Sequence, residues 1–564
     1  MISVSEKKWI ENKINKNLVE KIKQDYKLND ILSKLVISRK FNKTEITNIN
    51  YNLKIVNIFK KNNDFIDASN VLINSIKFNE NICVLGDYDA DGTAATSLLV
   101  RYFDHIKHPH FYYIPDRIKD GYGPSKKIFE KLILKNPKLV IMVDCGSTSN
   151  EAIEFLNQHK IKSIIIDHHE IYKPYPKSNI IINPKKNVTH TEENLLCATS
   201  LTYFFLDLVI KKTGSSFKIE NFLIYVLIAT ICDVMPLRKI NKILSSNIIK
   251  NFKIEDNFAI NSIFEQLNLN KKFTIDDIGY LIGPIINSGG RLGFSKYAVE
   301  LLTSDNQNII KKKTNELIIL NNKRKLLEQN ILSKIDFKKI KYENNNVIVY
   351  YDDGINEGLI GIIAARLKDY FNKPSIVITN SNNILKGSAR STSNYNIGNL
   401  IKLLIDKKII EKGGGHNMAA GFTIKKNNLL LFKEFIEKDF SKKIINNELK
   451  NKFDLEISLS AINRKFLHEI YKLGPFGNDN LLPLFLIRNV NIIKPNIINR
   501  KHISAFIKPS VGSSIKSICF NCMGTEIAEY LLFYKKKINI IAEINENFWN
   551  NKKIIQLNIK DIIL

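Results

Sequence analysis

The amino-acid sequence predicts an α/β protein. It should contain a parallel-sheet domain, a long connecting helix, a second and smaller α/β unit, and a C-terminal β-barrel. Three observations carry this reading. Short β-branched apolar runs stop abruptly at acidic residues; a glycine-rich stretch with strands of its own follows a charged helical segment; and beyond about residue 451 short strands are separated by turn residues.

Residues 1–50 are polar and read as helical, with no visible chemistry. Over 51–305 apolar strands alternate with amphipathic segments, the pattern of a βαβ parallel sheet. Ile82-Cys83-Val84-Leu85-Gly86 leads into Asp87-Tyr88-Asp89-Ala90-Asp91-Gly92, and Leu139-Val140-Ile141-Met142-Val143 into Asp144-Cys145-Gly146. Ser163-Ile164-Ile165-Ile166 leads into Asp167-His168-His169, and Ile228-Ala229-Thr230-Ile231-Cys232 into Asp233. Each such run reads as a buried parallel strand, and ligands sit at the carboxyl ends of such strands. Residues 306–340 place Leu317, Ile318, Leu320 and Leu327 at helical spacing and form the connecting helix. The second α/β unit, 341–445, is rich in glycine, including Gly413-Gly414-Gly415. The stretch 451–564 fits a small barrel, and the OB-fold is the commonest nucleic-acid-binding barrel of this size.

A chain of 564 residues exceeds one core, and 44% hydrophobic residues suffice for ordinary globular packing. The N-terminus lacks a secretory apolar core, and the longest strongly apolar stretch, 222–232, falls far short of a membrane span. Six scattered cysteines make no disulfide framework, so a cytoplasmic, reducing location is expected. The net charge of +28 points to a polyanion such as nucleic acid, although a lysine-rich codon bias would raise it too.

Carboxylates and imidazoles converging on one sheet edge would repel or lack partners unless a cation collected them. Asp87, Asp89 and Asp91 alternate and share a face in extended backbone, and Gly92 would let the chain turn into the next helix. An EF-hand loop is excluded, because Leu98 stands where its closing acid belongs. Adjacent residues point apart, so one of His168 and His169 should ligate while the other faces substrate, with Asp167 orienting an imidazole. Mixed carboxylate and imidazole donors favour Mn²⁺, with Mg²⁺ a weaker substitute, and the arrangement suits two ions. Two ions bridged by a carboxylate such as Asp144 would serve in-line displacement at phosphorus. Arg291, on the expected glycine-flanked turn Gly289-Gly290-Arg291-Leu292-Gly293, would meet the developing charge. Zinc is disfavoured by the excess of acids, and Cys519-x-x-Cys522 lacks a partner pair.

The four acidic motifs, in order, resemble those of the DHH phosphoesterase superfamily. Lys386-Gly387-Ser388-Ala389-Arg390-Ser391 and Gly413-Gly414-Gly415-His416-Asn417-Met418-Ala419-Ala420-Gly421 resemble its companion DHHA1-type domain. The resemblance runs from about residue 50 to the end and is nearest to the single-strand-specific 5′→3′ DNA exonucleases of the superfamily. It implies metal ligation by Asp89, Asp91, Asp144, His168 and Asp233, with Asp87 close by or ligating. His169 would contact the scissile phosphate or assist the leaving oxygen, with Arg291 beside that phosphate. Arg117, Ser388 and Arg390 would hold the 5′ end, Tyr122 would stack on a base, and His416 would face the cleft. Such chains usually carry a Trp-His pair where Ile355 and Asn356 stand here, and a basic residue is common where Ile285 stands.

The implied activity is metal-dependent 5′→3′ degradation of single-stranded DNA to mononucleotides in DNA repair and recombination. Its natural partners would be single-stranded DNA, a single-strand-binding protein and a helicase, with no membrane involvement and a monomeric state. A phosphatase or oligoribonuclease acting on short nucleotides is disfavoured by the long tail and basic charge. A non-catalytic binding relative is disfavoured because every acid and both histidines are present.

Overall fold

The computed structural model describes residues 1–564 apart from 52, 118, 122, 187–191, 382–383, 393, 445–449 and 550–551. The chain divides into two compact units. One comprises Val56–Met235 and Ile248–Asn447; the other comprises Met1–Ile55, Pro236–Asn247 and Glu448–Leu564.

The first unit contains a five-stranded sheet in the spatial order His110–Tyr113, Ile82–Gly86, Leu139–Val143, Lys162–Ile166, Ile180–Ile182. All its pairings are parallel. Every residue of Ile82–Gly86 and Leu139–Val143 is buried, which is why these runs carry no polar alternation. Pairing sets Gly86, Val143, Ile166 and Ile182 level, so Asp87, Asp144, Asp167 and Asn183 stand together at the carboxyl edge. The strand first in sequence lies between the second and the third. The connections therefore diverge between Ile82–Gly86 and Leu139–Val143, and this is where an open α/β sheet leaves its binding crevice.

One expected strand is a helix. Asp233 does not end a strand: it caps the helix Leu223–Cys232, in which every residue from Ile224 to Thr230 is buried. A helix enclosed on nearly all sides shows the same unbroken apolar run as a buried strand, and periodicity cannot separate them. Val234 follows at φ +54°, a left-handed conformation unfavourable for a β-branched residue, and it turns the chain sharply after Asp233.

The connecting helix Gln307–Lys334 has 28 residues, about 42 Å at 1.5 Å per residue. It buries Ile310, Thr314, Leu317, Leu320, Asn321, Arg324 and Glu328 along one stripe. Glu328 is paired with Arg324 at 2.9 Å and with Arg366 at 2.6 Å. Beyond it lies a five-stranded mixed sheet ordered Lys412–Gly415, Ala419–Ile424, Ile384–Arg390, Ser375–Ser381, Ile348–Tyr351. Only the last pairing is parallel.

The second unit is built on a closed five-stranded barrel. Phe485–Ile498, His502–Lys508, Ile515–Cys519, Lys552–Ile563 and Ile538–Trp549 pair in turn, and the last pairs back with the first. The N-terminal helices Lys16–Tyr26, Asp30–Ser38 and Lys43–Asn50 belong here too: Leu32, Leu35 and Val36 share one apolar core with Ile503 and Ile540. Residues 236–247 are bound in by Arg238–Glu45 at 2.7 Å and by the buried ammonium of Lys242, which donates to the Leu473 carbonyl. Among the described residues no helix is long and apolar enough to cross a membrane.

Candidate metal centre and phosphate site

The three acids after Ile82–Gly86 are fixed by three different devices. Asp87 is buried one step beyond the strand. Asp89 caps the helix Ala90–His105, its Oδ1 accepting from the amides of Asp91 at 3.0 Å and Gly92 at 3.1 Å. The Asp91 carboxylate lies at the start of the helix Ala198–Thr213 and accepts from the amides of Ala198 at 2.8 Å and Thr199 at 2.7 Å. Gly92 is needed for closeness: a Cβ there would lie 2.5 Å from the Asp87 amide nitrogen. Asp144 sits at φ +61°, a conformation that Asp and Asn tolerate better than other side chains.

Three groups of side chains stand close enough to share a cation: Asp87, Asp89 and Asp144; Asp91, His168 and Asp233; and Asp144, His168 and His169. The structure thus gathers all six residues expected as metal ligands. His168 Nε2 lies 3.3 Å from Asp144, 3.4 Å from Asp233 and 3.6 Å from Asp91. Burial, reinforced by His169, pushes this imidazole down to about 3, so it is neutral and cannot balance three carboxylates. Burial, then the neighbouring Asp89, pushes Asp87 up to about 8. Burial and the charge of Asp91 hold Asp144 and Asp233 well above the usual carboxylate range. Asp87 Oδ1, both oxygens of Asp144 and both ring nitrogens of His168 are buried without a hydrogen-bond partner. Unpaired donor atoms of this type, mostly oxygen with one imidazole, fit Mn²⁺ or Mg²⁺.

Asp167 has a different task. Its Oδ1 accepts from the His168 amide at 2.8 Å, the His169 amide at 3.1 Å and His169 Nδ1 at 2.8 Å, and its Oδ2 from the Ser147 amide at 3.0 Å. Against the cost of burial, His169 and these bonds hold Asp167 well below the usual carboxylate range. The same pairing outweighs burial at His169 and raises it to about 9, so its ring is an imidazolium at neutral pH. Asn183 supports both, donating to Ser147 Oγ at 2.8 Å and the His169 carbonyl at 2.9 Å. Neither Ser147 nor Asn183 stands out in the sequence, yet Asn183 ends an apolar run, Ile180-Ile181-Ile182, just as the acids do.

Arg291 is not on a turn, as its flanking glycines suggest, but is the last residue of the helix Gly283–Arg291. The glycines permit close packing instead: a Cβ on Gly290 would lie 2.4 Å from the Tyr88 carbonyl oxygen. Arg291 Nη1 donates to the Gly358 carbonyl at 3.2 Å. Burial, then Arg117 and Arg390, push it down to about 10. Arg117 lies over the Tyr88 ring at 5.5 Å, and Arg390 Nη1 donates to Ser388 Oγ at 3.3 Å. The loop bearing Arg117 is buckled by Asp120, which accepts from Tyr113 Oη at 2.7 Å and the Asp116 amide at 3.0 Å and pairs with Lys131 at 3.0 Å. His416 stacks on His169 with ring centres 5.7 Å apart and faces Glu170 at 3.7 Å. Tyr122 lies outside the described residues.

Comparison with known proteins agrees with this architecture. Residues 81–230 match the DHH family, N-terminal domain, residues 344–442 the DHHA1 domain, and residues 453–561 the RecJ OB domain. The chain belongs to the DHH family, in the branch that carries these three domains. It is similar to the single-stranded-DNA-specific exonuclease RecJ of Bacillus subtilis, 25% identical over 99% of this chain and 71% of the relative. The Haemophilus influenzae RecJ is 27% identical over 86% of this chain and 88% of the relative. The fold matches the crystal structure of Thermus thermophilus RecJ in complex with Mn²⁺ at TM-score 0.81, with 20% identity over 99% of this chain and 79% of that one. The Mg²⁺ complex of the same protein gives TM-score 0.75 at 18% identity, covering 98% of this chain and 78% of that one.

Proposed function

We propose that this chain is a metal-dependent exonuclease that degrades single-stranded DNA from the 5′ end to mononucleotides in DNA repair and recombination. The reading rests on one observation above others: a buried set of carboxylates and the His168 imidazole with unpaired donor atoms, next to clustered guanidinium groups. Asp87, Asp89 and Asp144 would hold one ion, and Asp91, His168 and Asp233 a second, with Asp144 within reach of both groups through His168. Mn²⁺ or Mg²⁺ there would supply positive charge for the phosphoryl oxygens and acidify the attacking water. Arg291 would neutralise charge on the scissile phosphate. His169, an imidazolium oriented by Asp167, would donate its Nε2 proton to the leaving oxygen.

Arg117, Ser388 and Arg390 would hold the terminal phosphate, Tyr122 would stack on a base, and His416 would line the cleft. The barrel would bind more of the strand, as OB-folds do. A monomer working with a single-strand-binding protein and a helicase is the expected assembly. Six free cysteines support a cytoplasmic location.

The test is a single strand labelled at its 3′ end and carrying a 5′ phosphate, given Mn²⁺, Mg²⁺ or chelator, beside a duplex and Asp233→Ala. A metal-dependent ladder shortening from the 5′ end, absent with the duplex and the mutant, is the expected result. Cleavage confined to dinucleotides would replace the reading with a short-nucleotide hydrolase, and tight binding without cleavage would replace it with a scaffold. Because the groove would contact many phosphates, digestion should slow steeply as salt rises.

Asp120→Ala should raise KM for the 5′-phosphorylated strand roughly tenfold while kcat changes little, since it frees the loop of Arg117 and leaves the acids untouched. An equal fall in kcat at unchanged KM would show that Asp120 acts on the chemical step instead.

A further inference from the structure

Glu357 stands among the arginines as an acid that the reaction does not use. Its Oε1 lies 3.9 Å from Arg117 Nε, with the two side chains 15% and 22% exposed. The backbone around it is pinned. Asn356 Oδ1 accepts from the Gly358 amide at 2.8 Å, Thr379 Oγ1 donates to the Ile355 carbonyl at 2.7 Å, and the Gly358 carbonyl is taken by Arg291. The helix Ile360–Phe371 begins just beyond, close against Arg390 and Ser388. Glu357 is therefore a largely buried carboxylate on a pinned backbone, facing Arg117 at the rim of the arginine cluster. Among the described residues neither Arg291 nor Arg390 forms an ion pair, so the cluster carries a surplus of positive charge that this acid offsets in part.

We propose that Glu357 is a resident counter-anion of the 5′-end pocket, pairing with Arg117 until a terminal phosphate displaces it, and that it sets how strongly a phosphorylated 5′ end is preferred over a hydroxyl. The inference rests on the reading that Arg117, Ser388 and Arg390 hold that phosphate. A phosphate monoester carries between one and two negative charges near neutral pH and must approach Arg117 against the carboxylate. A 5′-hydroxyl end leaves the Arg117–Glu357 pair intact. The acid thus lowers affinity for the phosphorylated end selectively, and it keeps the empty pocket from holding unrelated anions.

The test uses the full chain in chelator, where no cleavage occurs, and reads fluorescence anisotropy of a 3′-labelled single strand ending in 5′-phosphate or 5′-hydroxyl. Glu357→Gln keeps the shape and removes the charge, and it should raise the ratio of 5′-phosphate to 5′-hydroxyl affinity by about threefold to tenfold. An unchanged or reduced ratio overturns the proposal, a reduced one because it would mean that Glu357 holds Arg117 in place for the phosphate. Arg390→Ala and Arg117→Ala are measured alongside and should bring the ratio towards one. Should both keep the wild-type ratio, the pocket reading itself fails, and that failure is separate from the result for Glu357→Gln.

Discussion

Asp144→Asn should lower strand cleavage by roughly 10⁴-fold and at the same time make the metal-free protein melt higher than the wild type. Both effects have one cause. Asp144 is a buried acid with neither oxygen hydrogen-bonded, crowded by Asp91, Asp89, Asp87 and Asp233. Without a cation it must bear a repelled charge or take up a proton to fold, and either destabilises the fold; with one it would be a ligand, grouped with Asp87 and Asp89 and 3.3 Å from His168. Asparagine keeps the left-handed backbone at φ +61° and can donate to the neighbouring carboxylates, so the fold loses a repulsion and gains a hydrogen bond. Metal stoichiometry by mass spectrometry of the native protein, together with melting in chelator, checks the pair. Cleavage within tenfold of wild type would remove Asp144 from the ligand set, and a lower melting point would mean that repulsion does not dominate the empty site.

The second large effect is the dependence of metal-induced stability on pH. The Asp87 carboxyl is raised to about 8, those of Asp144 and Asp233 are raised well above normal, and the His169 imidazole is raised to about 9. In each case the folded chain holds a proton more tightly than the unfolded chain, so stability falls as pH rises through the folded value. His168 has the opposite sign, because its imidazole is lowered to about 3; its contribution is complete once pH exceeds the unfolded histidine value of about 6.5. Between pH 6.5 and 8.5 the surviving contributions of these groups share one direction and erode the stability of the metal-free protein. Lys242, lowered to about 7 by burial, and Cys522, lowered to about 7 beside Cys519, have the opposite sign there but enter alike with and without metal. Mg²⁺ must displace the protons on Asp87, Asp144 and Asp233, though not that on His169, so its apparent affinity should rise over the window. The gap in melting temperature between Mg²⁺ and chelator should therefore widen by several degrees from pH 6.5 to 8.5. A constant or narrowing gap would show that the acids are already ionised without metal. In Asp144→Asn the widening should be smaller.

Much of the catalytic sheet can be read from residue types alone, because a strand buried on both faces needs an unbroken β-branched run, and an acid can follow only where that strand ends. Asp87, Asp144 and Asp167 stand where those runs place them. Asp233 is equally visible as a candidate ligand but not as the end of a helix, since a helix enclosed on nearly every side has lost its polar stripe. Arg291 shows the same limit, because glycines that make room for Tyr88 look like glycines of a turn. Contacts across long separations left no local trace. The amides of Ala198 and Thr199 that fix Asp91 come from a helix over a hundred residues later, and the acid that faces Arg117 comes from the companion domain. The N-terminal helices look like a free-standing segment in sequence, yet their apolar faces are completed only by the barrel.

The path of the chain just after Asp233 bears on how this protein can be divided. Residues 236–247 belong to the unit of the barrel, where Leu237 is fully buried, its amide bonded to the Asn478 carbonyl at 2.8 Å. Lys242 loses its acceptor, and Leu237 its cover, in any fragment that stops before residue 448. The barrel is consequently not a detachable module added to a finished nuclease. Trimming it uncovers a stretch that begins three residues beyond Asp233, a proposed ligand of the metal site, so a shortened chain cannot be treated as the intact enzyme with merely less grip on its substrate.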